Sequence, residues 1–102
     1  MSYDLQVWST LAIDLRRALP DGDSWRAEND VFVCSGRGWQ IVVGPQHRVE
    51  FEDVPYQIHA TLPGVQHMTE LNLEPISAPR SAHTLLRRVA KALASSGYGA
   101  VC

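Results

Sequence analysis

The chain holds two cysteines and one lysine, and it has no apolar run long enough to cross a bilayer. Two thiols, Cys34 and Cys102, cannot build the disulfide framework that staples small secreted domains. Their ordinary reading is a small buried apolar side chain and a terminal thiol. A membrane helix needs roughly 20 consecutive apolar residues, and nothing here approaches that. The start, Met1-Ser2-Tyr3-Asp4, has no basic region leading into an apolar stretch, so a signal-peptide reading fails and a cytoplasmic location is expected. Catalytic signatures are missing as well. There is no G-x-S-x-G elbow, no H-E-x-x-H helix, and no phosphate-binding loop with its lysine.

What remains is the composition of an ordinary folded domain. With 102 residues, 45% hydrophobic and 20% charged, the chain suits one domain over 1–102 with a single core. It is either complete in itself or the N-terminal domain of a longer protein. The formal net charge of -2 argues against a sequence-independent nucleic-acid binder, whose affinity comes from Lys and Arg neutralising phosphates. Eight of the nine basic residues are Arg, a bias of the kind that GC-rich coding produces, and it carries no functional weight.

Along the chain, Tyr3, Leu5 and Val7 alternate with Asp4, Gln6 and Trp8, which predicts a half-buried first strand. Ser9 or Thr10 can then cap a helix of about two turns through Leu11, Leu15, Ala18 and Leu19, stopped by Pro20-Asp21-Gly22-Asp23. A weak strand near Trp25 precedes a hairpin, Val31 to Cys34 and Trp39 to Val43, turning at Ser35-Gly36-Arg37-Gly38. Gly44-Pro45-Gln46-His47 reads as a second turn and Arg48 to Phe51 as a short strand. Asp53 could cap a helical turn running to Thr61. His67 to Glu74 alternates again, with Thr69, Leu71 and Leu73 inward and Glu70, Asn72 and Glu74 outward. Ser77 caps the longest helix, about Ala78 to Ser95, with a buried stripe of Ala82, Leu85, Leu86, Val89 and Leu93 and a left-handed exit at Gly97. Gly99 to Cys102 resumes extended structure.

The resulting order, β-α-β-β-β-(α)-β-α-β, predicts an α+β two-layer sandwich. Its sheet is mainly antiparallel with two main helices on one face, resembling ferredoxin-like folds. That architecture hosts many functions and licenses none by itself.

Candidate chemistry is thin. His47, His59, His67 and His83 stand near Glu50, Glu52, Asp53, Glu70 and Glu74, yet none shows a metal-binding spacing, so no metal site and no cofactor is expected. Glu70 and Glu74, four apart on one strand face, are separated by ~13 Å at ~3.3 Å per residue, too far to act as an acid/base pair. Arg80, Arg87 and Lys91 form a basic stripe on the last helix, flanked by Arg88, most simply its solvated face.

The outward side of the sheet is the sharper feature. Gln6, Trp8, Gln40, Glu70, Asn72 and Glu74 should share it, and an exposed tryptophan among polar groups suits a protein contact, the alternative being that the Asp53 to Thr61 segment covers Trp8 as plain core. RNA recognition modules of similar layout also need positive charge, and this face is acidic. The expectation is therefore a non-enzymatic protein-binding module, in general character like a small bacterial immunity protein or an N-terminal recognition domain. It would use the open sheet face or an edge strand to engage a protein partner or its own copy. Two alternatives stand beside it. One is a small metal-dependent hydrolase using His47, His59 or His67 with Glu50 or Glu70, and the other is nucleic-acid binding through the basic last helix.

Overall fold

A computed structural model describes residues 1–20 and 24–102. Its elements follow the expected order: β1 (Tyr3–Ser9), α1 (Leu15–Ala18), β2 (Arg26–Glu28), β3 (Val31–Gly36), β4 (Trp39–Arg48), α2 (Tyr56–Thr61), β5 (His67–Glu74), α3 (Arg80–Gly97) and β6 (Gly99–Val101). The six strands form one sheet in the order β2-β3-β4-β5-β1-β6, with every neighbouring pair antiparallel. A small α+β domain with an antiparallel sheet is thus what the chain forms. The finer ferredoxin-like ordering is recovered only in part. Its split β-α-β unit appears at the close, where β5-α3-β6 straddles β1. At the opening, by contrast, β1 and β2 are separated by β5, β4 and β3.

Helices α1 and α3 lie on one side of the sheet. The apolar alternation of β1, β4 and β5 meets the helical stripe of α3 there, burying Val7, Ile41, Val43, Leu71 and Leu73 against Ala82, Leu86, Val89 and Leu93. Leu85, expected in that stripe, is only partly buried, and Ala90 takes the deeper position. Burying these side chains at roughly 25 cal/mol per Å² supplies the main drive for folding.

Several local expectations are corrected. Helix α1 is one turn rather than two, capped by Asp14, whose carboxylate accepts from the Arg17 backbone N–H. Ser9 stays in β1, and the Thr10 and Leu11 N–H groups donate to the Gly97 carbonyl, so the chain cannot turn helical so early. The proposed stop at Asp21-Gly22-Asp23 lies outside the described residues. Gly44-Pro45 is no turn. It interrupts the register between Val43 and Gln46 inside a single ten-residue strand, where a bulge accepts both a glycine at φ +106° and a proline with no N–H to give. The bulge carries Gln46 to the helix side. There its carboxamide accepts from the Ile13 N–H at 2.7 Å and donates to the Ile13 carbonyl at 2.7 Å, pinning the segment before α1.

Arg48 ends β4, and Phe51–Asp53 forms a 3-10 turn instead of a strand. Pro55, not Asp53, is the N-cap of α2, and Pro79, not Ser77, is that of α3. The left-handed exit from α3 falls on Tyr98. Gly97 is needed for a different reason: a Cβ there would sit 2.7 Å from Ile13 Cγ1 and 2.8 Å from Ser9 Cβ. Among the described residues no helix is long and apolar enough to cross a membrane.

Thr69, on the core side of β5, is fully buried and its hydroxyl finds no hydrogen-bond partner among the described residues. A desolvated, unpaired hydroxyl costs about 1–3 kcal/mol. Thr69→Val is therefore expected to raise the urea midpoint, by a stability gain of about 1 kcal/mol. A lower midpoint would show that the hydroxyl is satisfied in solution.

Candidate interaction face

The side of the sheet away from α1 and α3 is organised by cross-strand pairing into rows. Gln40 stands opposite Glu74, and Val42 opposite Asn72, which in turn faces Asp4. Glu70 faces Gln6, and Met68 lies between His47 and Trp8. The Asn72 amide donates to Asp4 Oδ1 at 2.6 Å, and Ser2 Oγ donates to the same oxygen at 3.0 Å. Asp4 is thereby held against the strand. A shallow depression of about 340 Å³ lies among Asp4, Gln6, Gly44, Glu70 and Asn72, where the bulge glycine contributes no side chain beside Glu70.

Five of the six expected contact residues are accessible here. Gln6, Glu70 and Glu74 are exposed, and Gln40 and Asn72 are half-buried. Trp8 is not. It is 4% exposed, and with Met68 it forms the floor of a second apolar cluster closed by Val54, Ile58 and Val65 from the α2 segment. Of the two readings of Trp8, the covered one holds and its place among the contact residues is corrected: the α2 segment caps this end of the face, and Trp8 is core. Its indole N–H has no partner among the described residues.

The face carries Asp4, Glu70 and Glu74 on β1 and β5 with no Lys or Arg in either strand. Arg26, toward the β2 edge, is occupied by Glu28 at 3.2 Å. On the opposite side of the molecule Arg80, Arg87, Arg88 and Lys91 are all exposed along α3.

The histidines do not converge. His47 is near the end of β4, while His59, on α2, stacks on Phe51 with ring centroids 4.1 Å apart and hydrogen-bonds its carbonyl at 2.7 Å. His67 begins β5, and His83, on α3, meets the edge of Tyr3 and the Ile76 carbonyl. Among the described residues no three His, Cys, Asp or Glu side chains are grouped to hold a metal.

One exposed group escaped the sequence reading. Phe51 and Tyr56 are 76% and 81% exposed on the α2 segment, set among Glu50, Glu52 and Asp53. Assigning Phe51 to a strand hid it. The signal was the acidic run ending in Pro55, which is poor strand material.

No protein-family model matches the chain, and no curated protein sequence matches it.

Proposed function

We propose that the chain is a non-enzymatic protein-binding module, of the immunity or recognition kind, whose open sheet face receives a basic segment of a protein partner. The observation that carries this reading is the trio Asp4, Glu70 and Glu74, exposed on two neighbouring strands that hold no Lys or Arg. Complementary charge at such a face steers encounter and sets register more than it adds raw affinity. The edges suit the role less well. β2 is three residues long and guarded by the Arg26–Glu28 pair, and β6 offers three residues.

The test is an NMR titration with an arginine-rich peptide, with an acidic peptide of equal length as control. Backbone signals of Gln6, Gln40, Glu70, Asn72 and Glu74 are expected to shift with the basic peptide alone. Glu70→Arg with Glu74→Arg should weaken binding at least about tenfold without moving the unfolding midpoint. Shifts confined to α3 or α2, or equal response to the acidic peptide, would remove the proposal.

A further inference from the structure

Charge in this domain is segregated by layer. Helix α3, Arg80–Gly97, contains no acidic residue, and Arg80, Thr84, Arg87 and Lys91 recur along one exposed stripe. Helix α1 adds exposed Arg16 and Arg17 to the same layer, with Asp14 at its cap. The acids Asp4, Glu70 and Glu74 occupy the opposite side of the sheet. These two surfaces cannot neutralise each other within one molecule. The apolar stripe of α3 is seated on Val7, Leu71 and Leu73, which turns its basic stripe outward, away from the acidic rows.

Their dimensions correspond. Arg80 to Lys91 covers ~16 Å at ~1.5 Å per helical residue. Glu70 to Glu74 covers ~13 Å at ~3.3 Å per strand residue, with Asp4 beside them on the next strand. Stripes of similar length can lie alongside each other, and charges brought within the ~8 Å Debye length of physiological salt are not yet largely screened.

We infer that the basic partner of the acidic sheet face is a second copy of this chain, presenting the outer stripe of α3. This rests on the binding role proposed above for the sheet face and names its occupant. The contact is heterologous. Each copy uses a different surface, so the two end copies of an open assembly still offer one acidic face and one basic stripe, and assembly continues into a ring or an open row. Attraction of this kind is tuned by salt, so association should be strongest at low ionic strength.

Sedimentation velocity on the full chain tests this. The wild type should form species larger than a monomer at low salt, with an apparent association constant falling at least about tenfold between ~20 mM and ~500 mM salt. Two neutralised variants separate the surfaces. Glu70→Gln with Glu74→Gln keeps only the basic stripe, and Arg87→Gln with Lys91→Gln keeps only the acidic face. Each alone should remain monomeric, and their mixture should form a one-to-one pair and nothing larger, since each contributes the surface the other lacks. A wild type that is monomeric at every salt concentration, or a mixture that fails to pair, would overturn the inference. So would association of the wild type that both neutralised variants retain. The peptide titration remains independent: a monomeric chain whose sheet face still binds the arginine-rich peptide loses this inference and keeps the binding role. If α3 instead serves a polyanion, a double-stranded DNA probe will bind the Glu70→Gln, Glu74→Gln variant while the wild type stays monomeric, which also overturns it.

Discussion

Trp8→Ala is expected to lower the free energy of unfolding by about 3–5 kcal/mol, the cost of emptying a large buried aromatic site. Trp8 is the floor of the second apolar cluster, and Val54, Ile58, Val65 and Met68 close around it. That cluster holds the α2 segment on the sheet, so the loss should be regional before it is global. Amide hydrogen exchange from Val54 to Leu62 should accelerate more than exchange in α3. Urea unfolding followed by circular dichroism gives the overall cost, and an unchanged midpoint would show that α2 does not depend on the indole. Trp8→Phe should cost less. It keeps most of the apolar volume and removes a buried N–H that lacks a partner. For the same reason Trp8 is unsuitable as a probe of binding, since a loss of partner affinity in Trp8→Ala would report a damaged fold.

The second large effect belongs to Gly99. A Cβ built there would collide with the Trp8 carbonyl oxygen and lie 3.0 Å from Ser9 Cα. Both obstacles are backbone of β1, so no side-chain rotation relieves them. Gly99→Ala is expected to cost about 1–3 kcal/mol through overpacking. It should also prise β6 from β1, breaking the register that pairs Trp8 with Ala100 and Val7 with Val101. The paired bonds between Gln6 and Cys102, at 3.0 and 2.8 Å, should exchange faster by NMR. Retention of slow exchange at both amides would show that the strand ends accommodate the methyl group.

These two positions illustrate what the sequence discloses and what it conceals. β1, β5 and α3 were legible because a period of two or of 3.6 is a local property, readable from neighbouring residues. The inward set Thr69, Leu71 and Leu73 and the outward set Glu70, Asn72 and Glu74 follow from alternation alone. Gly44-Pro45 was not legible as a bulge, because turns and bulges call for the same residue types, and the ladder that distinguishes them comes from β5. Trp8 posed a similar difficulty. An isolated apolar residue on a polar strand face looks identical whether it is bare or capped, and its cap comes from residues near Ile58, some fifty positions later. Of the candidate face, the charges of Glu70 and Glu74 could be read from alternation, whereas their register against Gln6 and Asp4 depends on long-range pairing.

The interior place of β1, between β5 and β6, constrains the order in which the molecule can be built. β2, β3, β4 and β5 follow one another in the chain and neighbour one another in the sheet, so they can zip together while that stretch is being synthesised. β1 is made before all of them, yet both of its ladders wait for β5 and β6. Until then Tyr3, Leu5, Val7 and Trp8 lie on a strand with two unpaired edges, the state in which nascent chains are most exposed to misassociation. Of these six strands, the first to be synthesised is among the last that can be set in place.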